Sequence, residues 1–344
     1  MRIKIRNKYI ENNLSPSLIA EISCNHCGNK KLFLKHILMA KRSGADFVKI
    51  QTYEPEDMTI KSNDRKFKVE KGSFKGKYLW DIYKKACTPY DWHYDAFKLA
   101  KKNNIILFSS PFSIKAVDFL EKFKVPLYKI ASMELTDLSL VDKIASTKKP
   151  VIVSTGNSSI KEIKKTVRRI EKYHKKIILL HCVSDYPTKI DNCNLFEINN
   201  LSKIFPKYMI GLSDHTNNIY SSIASVFFNS VVIEKHFKLS KNINSLDKDF
   251  SLNPDQFKAL KHQISIYFKL KSLKKNRKKN KNQNFKRSIF SKNFINKGDI
   301  FSEKNIISLR PKIGIDSSEY FNLLGKKSIR NIEPNKPIFT KYIK

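Results

Sequence analysis

A chain of 344 residues is long enough for about two domains, and its hydrophobic content of 41% is too high for a disordered protein. No run approaches the ~20 apolar residues that a membrane span needs, and the N-terminal segment lacks the apolar core of a secretion signal, so we expect a cytoplasmic protein without membrane contact. The 67 Lys and Arg against 31 Asp and Glu give a net charge of +36, but the basic residues are spread along the whole chain. We therefore interpret them as solvated surface and expect no nucleic-acid partner, with DNA or RNA binding through the basic run 271–287 as the alternative.

Short apolar runs, rich in Val, Ile and Leu, recur along residues 15–270. They do not alternate with polar residues, as expected for parallel strands that are covered on both faces. The predicted strands are 17–22, 46–51, 105–109, 127–130, 150–154, 177–182, 208–212 and 231–235.

Segments with apolar residues three or four positions apart lie between most of these strands and predict helices. They are 30–43, 90–103, 114–122, 137–147, 159–173, 195–204, 217–229 and 254–270. This alternation predicts an α/β fold, a TIM (β/α)8 barrel. A doubly wound sheet is the alternative, although no glycine-rich fingerprint follows the first strand. The insert 52–89 is predicted to be a loop over the barrel mouth.

The composition changes after residue 270. We predict a barrel domain over 15–270 and a basic linker over 271–285. Over 286–344, short β-like runs alternate with turn sequences, which predicts a small β-rich domain that is marginal alone.

The odd number of cysteines argues against a disulfide framework. In a cytoplasmic chain we expect Cys24, Cys27, Cys87, Cys182 and Cys193 to be free thiols. Cys24 and Cys27 form a C-x-x-C, so a structural zinc or a redox pair is the alternative, but no second pair follows at zinc-ribbon spacing.

Polar residues are concentrated where the predicted strands end, which is where catalytic groups sit in a TIM barrel. Two lysines and four serines at these ends could hold the phosphate and the carboxylate of one anionic ligand. They are Lys49, Lys129, Ser110, Ser132, Ser154 and Ser213.

Two histidines and two glutamates complete this inventory. His215 and His236 follow adjacent strands and could share one divalent metal ion. Glu21 and Glu134 are inward carboxylates available for acid–base work or for substrate hydroxyls.

Several segments containing these residues resemble the sialic acid synthase family. In chain order they are IAEISCNHCG, VKIQTY, SSPF, YKIAS, PVIVSTG, GLSDHT and IEKHF. The segment KRSIFSKNFINKGDIFSEKNIISLRPKIGI resembles the family's antifreeze-like (SAF) domain.

Within the family, LWDIYKKACTPYDWH (79–93) resembles the pseudaminic acid synthases. Two departures keep the N-acetylneuraminate and legionaminate synthases open as alternatives. His181 stands where pseudaminic acid synthases usually have Lys, and the glycine-rich stretch that many members have before Asp247 is missing.

The resemblance implies a transferase that condenses phosphoenolpyruvate with an open-chain N-acetylated amino sugar and releases phosphate by C–O cleavage. For the pseudaminic acid branch the sugar is 2,4-diacetamido-2,4,6-trideoxy-altropyranose. The resemblance also implies that His215 and His236 hold Mn²⁺, or else Mg²⁺ or Co²⁺, and that Glu21 acts as a base or activates water.

The resemblance further implies three sets of substrate contacts and one partner. The phosphate would be held by Lys129, Ser132, Ser154, Ser184 and Ser213. The carboxylate would be held by Lys49 and Ser110. The sugar and the metal waters would face Gln51, Glu134, Tyr186 and Asp247. Arg310 would reach the sugar of a partner subunit, which implies a domain-swapped homodimer.

Overall fold

The computed structural model of the chain describes residues 2–70, 75–273 and 285–344. Its strands are β1 (Arg2–Ile5), β2 (Lys8–Glu11), β3 (Ser17–Glu21), β4 (Phe47–Thr52), β5 (Leu107–Pro111), β6 (Tyr128–Ile130), β7 (Val151–Ser154), β8 (Ile177–Cys182), β9 (Met209–Asp214), β10 (Val232–His236), β11 (Ser288–Ser291) and β12 (Ile306–Leu309). Its α-helices are α1 (Lys30–Arg42), α2 (Pro55–Met58), α3 (Leu79–Ala86), α4 (Tyr90–Lys102), α5 (Ile114–Glu121), α6 (Leu138–Ser146), α7 (Ile160–Glu171), α8 (Phe196–Ile204), α9 (Tyr220–Ala224), α10 (Pro254–Ser272) and α11 (Tyr320–Leu323).

The chain forms two compact units, and the boundary falls between Ser272 and Leu273. Most of the predicted linker, residues 274–284, lies outside the described residues. None of the described helices combines the length and apolarity needed to cross a bilayer.

The first unit is a closed parallel barrel of β3 to β10 in chain order, with β10 returning to pair with β3. Each of the eight predicted strands is present within two residues of its predicted bounds. The strands are buried almost throughout, which explains why their sequences are continuously apolar. The predicted TIM barrel is confirmed, and closure of the sheet excludes the doubly wound alternative.

An antiparallel hairpin of β1 and β2 precedes the barrel and was missed in the sequence. Its buried residues Ile3, Ile5 and Ile10 pack in one cluster with residues from the barrel interior, including Phe47 and Phe108. The hairpin therefore covers the apolar barrel interior at the amino ends of the strands, away from their carboxyl ends.

The helices surround the barrel, and side-chain caps fix several of their starts. The hydroxyl of Ser113 accepts a hydrogen bond from Ala116 N at 3.1 Å at the start of α5. The predicted helix 217–229 is wrong in length, because α9 is only Tyr220–Ala224. The Asn218 side chain accepts from Tyr220 N at 2.9 Å and so holds the chain in a turn before α9.

The insert between β4 and α4 is more ordered than the predicted loop. It contains α2, α3 and a 3₁₀ turn at Arg65–Phe67. Residues 71–74 of the insert lie outside the described residues.

The second unit contains the antiparallel pair β11 and β12, joined in the register Ser288↔Leu309. Its core is a cluster of buried apolar residues that includes Ile289, Phe301, Ile306 and Ile338. The predicted small β-rich domain is confirmed. Two of its predicted β-like runs make isolated bridges, such as Ser328↔Ile343, instead of strands.

Candidate active site

A cavity of about 340 Å³ lies at the carboxyl ends of the barrel strands. Most of the predicted site residues line it, because side chains at these strand ends converge on the barrel axis. They are Lys49, Gln51, Lys129, Ser132, Glu134, Ser154, Tyr186, Ser213, His215, His236 and Asp247.

A buried ion-pair cluster borders this cavity: Lys49 and Glu234 belong to the cavity lining, whereas the predicted base Glu21 is fully buried and does not. The Nζ atom of Lys49 is 2.9 Å from Oε2 of Glu21 and 2.8 Å from Oε1 of Glu234, and all three side chains are almost completely buried. Glu21 on β3 is paired in register with Lys49 on β4, which brings these two side chains together. Glu234, on β10, was not among the predicted site residues, although its position two residues before His236 places both side chains on the same face of the strand.

The two carboxyls of this cluster have different proton affinities. Burial raises the pKa of Glu21, and the attraction of Lys49 only partly offsets this. Burial also acts to raise the pKa of Glu234, but Lys49 and Lys129 together lower it to about 2. Glu21 is therefore the better proton carrier, while Glu234 remains an anion.

The second buried lysine points at a group of hydroxyls. Lys129 donates from Nζ to Oγ of Ser154 at 2.6 Å and to the carbonyl of Ile130 at 3.1 Å. Burial lowers the pKa of Lys129. Next to it, Oγ of Ser132 lies 3.1 Å from Oγ of Ser184. A lysine and converging hydroxyls form a site suited to a phosphate.

Two predicted serines lie beside this cavity without being part of its lining. Ser184 contacts the cavity-lining Ser132. Ser110 is 1% exposed and donates from Oγ to the carbonyl of Lys129 at 3.1 Å, so it supports the strand that carries the lysine.

The two predicted metal-binding histidines face each other, with ring centroids 5.5 Å apart. Nδ1 of His215 lies 2.9 Å from the carbonyl of Val183 and must donate to it, which leaves Nε2 with a free lone pair. Burial and the neighbouring His236 lower the pKa of His215 to about 3, so its imidazole is neutral at physiological pH.

Asp247 lines the cavity next to His236. Its Oδ2 lies 3.1 Å from Nδ1 of His236. The loop that carries Asp247 is held by Asn25, whose Nδ2 donates to the carbonyl of Phe237 and to Oγ of Ser251, both at 2.9 Å. Ser251 in turn donates to the carbonyl of Asp247 at 2.7 Å.

A divalent ion fits this donor set only with additional ligands. Within the described ranges, no group of three or more His, Cys, Asp or Glu side chains converges closely enough to hold a metal. His215 and His236 are the available imidazole ligands, so water or substrate would fill the remaining positions, as in a catalytic site with open coordination.

One wall of the cavity consists of residues that the sequence did not single out. Tyr53, Met58, Tyr83 and Phe112, here called the apolar wall, all line the cavity. The first three belong to the insert between β4 and α4, and Phe112 directly follows β5. Position after a strand end was the available signal for Tyr53 and Phe112. Met58 and Tyr83 follow no strand, but Tyr83 belongs to the segment 79–93 that carries a family resemblance.

The remaining predicted groups lie outside the cavity lining, except Cys182, which belongs to it. Arg310 belongs to the second unit, where it is exposed and donates from Nε to the carbonyl of Phe285 at 2.6 Å. The five cysteines are free thiols, as predicted. His181 is outside the cavity lining, and its Nε2 lies 2.8 Å from the carbonyl of Cys193.

Comparisons with known proteins agree with this geometry. The NeuB family model matches residues 36–276. The chain is 41% identical to the pseudaminic acid synthase of Campylobacter jejuni, over 92% of this chain and 93% of that protein. It is 37% identical to the pseudaminic acid synthase of Helicobacter pylori, over 94% of this chain and 96% of that protein.

A solved structure extends the likeness to the fold. The N-acetylneuraminic acid (sialic acid) synthetase from Leptospira borgpetersenii superposes with a TM-score of 0.73 at 27% identity, over 80% of this chain and 92% of that one. The family resemblance of the sequence is confirmed, and the chain belongs to the NeuB family.

Proposed function

We propose that this chain acts as a pseudaminic acid synthase. It condenses phosphoenolpyruvate, open-chain 2,4-diacetamido-2,4,6-trideoxy-altropyranose and water into pseudaminate and phosphate. The observation that carries the proposal is one cavity that combines two buried lysines, a set of hydroxyls and a pair of facing histidines. The likeness to pseudaminic acid synthases over most of the chain supports the choice of sugar.

Phosphoenolpyruvate carries two anionic groups, and the cavity offers two cationic positions for them. Lys129 with Ser132, Ser154, Ser184 and Ser213 holds the phosphate. Lys49 holds the carboxylate, and Ser110, whose hydroxyl donates to the carbonyl of Lys129, supports the neighbouring strand. Gln51, Glu134, Tyr186 and Asp247 face the sugar. Holding both substrates in one orientation converts a bimolecular reaction into a unimolecular one.

The reaction joins C3 of phosphoenolpyruvate to the aldehyde carbon of the sugar and leaves a positive centre at C2, while the aldehyde oxygen takes up a proton and becomes a hydroxyl. Water attacks C2 and gives one proton to Glu21, which replaces the proton taken up by the sugar oxygen. The C2–O bond to phosphate then breaks as the new C2 hydroxyl loses its proton and becomes the ketone oxygen, and the bridging oxygen leaves with phosphate, which carries that proton away. A divalent ion held by His215 and His236 (Mn²⁺, with Mg²⁺ or Co²⁺ as alternatives) would supply a Lewis acid that polarises the aldehyde.

Isotope labelling tests the bond that breaks. With ¹⁸O in the bridging ester oxygen of phosphoenolpyruvate, mass spectrometry should find the label in the released phosphate. Label in the sugar acid would overturn the proposed mechanism.

A substrate comparison tests the sugar. The protein is incubated with phosphoenolpyruvate, Mn²⁺ and each of three sugars: the diacetamido-trideoxy altrose, the corresponding legionaminate precursor and N-acetylmannosamine. Product mass and NMR should identify pseudaminate as the main product. The alternatives are N-acetylneuraminate or legionaminate synthesis. Of the two sequence departures that raised them, His181 lies outside the cavity lining, whereas the segment without the glycine-rich stretch leads to Asp247, which lines the cavity.

We also propose a role for Arg310, which belongs to the second unit. We propose that residues 286–344 form an antifreeze-like domain and that Arg310 contacts the sugar bound by a partner subunit, in a domain-swapped homodimer. Mixing Arg310→Ala subunits with His236→Ala subunits should then restore activity, because one site of the heterodimer has both groups intact. No recovery after verified subunit exchange would contradict the swap.

A further inference from the structure

The apolar wall is a packed structure and not a set of chance neighbours. Tyr53 is 2% exposed. Its ring meets Tyr83 edge-on at a centroid distance of 6.1 Å and Phe112 at 5.1 Å. Met58 joins the same lining from α2, and Tyr83 comes from α3. The insert between β4 and α4 is therefore folded so that it presents apolar side chains to the cavity.

The wall lies near the carboxylates that the proposed function assigns to the sugar. Burial raises the pKa of Tyr53, and the charge of Asp247 adds to this rise. Burial likewise raises the pKa of Tyr83, with Glu134 adding to it. Tyr53 and Tyr83 line the same cavity as Glu134 and Asp247, so the wall and these carboxylates face one bound molecule.

The sugar must bind in one direction between the lysines and the apolar wall. The aldehyde carbon of the sugar has to meet C3 of phosphoenolpyruvate, whose anionic groups bind the lysines. The opposite end of the open chain, with C6, therefore extends away from the lysines. A methyl group at C6 gains from contact with the thioether of Met58 and with the ring faces of the wall, whereas a hydroxyl against these carbon and sulfur atoms loses its water without finding a partner.

We infer that the apolar wall binds the C6 methyl end of the sugar and selects 6-deoxy sugars over their 6-hydroxy analogues. This inference rests on the proposed function, which supplies the direction of the sugar. It makes the insert between β4 and α4 the specificity-determining segment of the barrel, with Met58 and Tyr83 as its main contacts.

The test compares two sugars on four proteins. The sugars are the diacetamido-trideoxy substrate and its 6-hydroxy analogue. The proteins are the wild type, Met58→Gln, Tyr83→Ala and the control Ile60→Gln, which makes the same kind of change two residues along the insert at a side chain that is 65% exposed. Values of kcat/KM are measured for each sugar and for phosphoenolpyruvate, and thermal unfolding verifies that each variant is folded.

We expect the wild type to prefer the 6-deoxy sugar by on the order of 100-fold. Met58→Gln and Tyr83→Ala should reduce this preference about tenfold or more, through the KM for sugar, while the KM for phosphoenolpyruvate stays within about twofold. Ile60→Gln should keep the wild-type preference. An unchanged preference in both folded wall variants would overturn the inference.

Failure of the proposed function gives a different result. If the wild type converts neither sugar, the proposed function is wrong, and calorimetric binding of the same two sugars in the presence of phosphoenolpyruvate decides the inference. Preferential binding of the 6-deoxy sugar that is lost in the wall variants would still support it. Equal binding of both sugars, or no binding of either sugar to the wild type, would overturn it.

Discussion

Glu21 and Glu234 share one lysine, yet they differ as proton carriers. Lys49 lies within 2.9 Å of both carboxylates, but Glu234 is additionally stabilised as an anion by Lys129. Within this pair, Glu21 has a raised pKa and lies next to Glu234, which stays ionised. Two chemically identical groups can thus take different roles in one site.

Replacing Glu21 by Gln should therefore remove proton transfer while keeping most of the packing. We expect kcat to fall by about 10²- to 10⁴-fold, the usual contribution of a general base, with little change in the KM for phosphoenolpyruvate. Steady-state kinetics measure both constants, with the exposed Glu303→Gln as the matched control. A loss of less than about fivefold in kcat would assign the proton transfer to another group.

The histidine pair allows a prediction with a direct binding readout. His215→Ala and His236→Ala should each abolish turnover and weaken Mn²⁺ binding, measured by calorimetry, because the described cavity offers these two imidazoles as its nitrogen ligands. His262→Ala, at an exposed position on α10, should bind Mn²⁺ like the wild type. Full turnover after exhaustive EDTA treatment would show that the reaction needs no metal.

At the scale of elements, one buried ion pair joins the two strands that carry these histidines. Lys235 on β10 is paired in register with Asp214 on β9, and their charged atoms are 3.1 Å apart with both side chains at most 1% exposed. Asp214 also accepts hydrogen bonds from Ser221 at 2.7 Å and from Ser222. Since His215 and His236 directly follow these two residues, the pair fixes the strand ends on which both imidazoles sit.

Breaking this pair should cost much more than removing both of its charges. We expect Asp214→Asn or Lys235→Met alone to lower the free energy of unfolding by about 3–5 kcal/mol, because each leaves a buried charge uncompensated. The double variant should be less destabilised than either single variant, because no buried charge is left without its partner. Urea denaturation measures all four proteins, and strictly additive effects would show that the two side chains are not coupled.

The elements that were predictable from the sequence are those with a strong local pattern. The eight barrel strands are continuously apolar because both of their faces are covered, and their ends are polar because they meet at one site. The hairpin of β1 and β2 has only three buried apolar residues, Ile3, Ile5 and Ile10, among charged neighbours. Its stability comes from packing against the barrel, which no local pattern reports.

The residues of the candidate site were predictable where they belong to barrel strands. Lys49, Lys129 and His236 belong to strands, so their convergence follows from the barrel topology. The apolar wall comes largely from the insert 52–89, for which the sequence predicts a loop. Its α2 has only four residues, too few for a helical pattern to mark Met58, whereas Leu79, Ile82, Tyr83 and Ala86 of α3 do show helical spacing. Aromatic and thioether side chains also occur throughout any core, so their type alone does not point to a ligand.

For the whole molecule, buried histidines whose pKa is lowered couple folding to pH. His26, His36 and His93 are completely buried in the barrel unit. Burial lowers the pKa of each to about 4, against an ordinary value of 6.5. The unfolded chain therefore takes up protons between pH 6.5 and 4 that the folded chain excludes, so stability is fully present above this window and is lost as the pH falls through it.

His93 offers the clearest test of this coupling, because both of its ring nitrogens have uncharged partners: Nε2 contacts Oγ1 of Thr52 at 2.8 Å and Nδ1 contacts the carbonyl of Pro89 at 3.1 Å. Each histidine should remove about 2 kcal/mol from the free energy of unfolding between pH 7 and pH 5. His93→Gln should lower the stability at pH 7, yet lose about 2 kcal/mol less than the wild type over this interval. Urea denaturation at both pH values measures the difference, with the exposed His262→Gln as control. An equal pH-dependent loss in wild type and His93→Gln would mean that His93 is protonated in the folded protein.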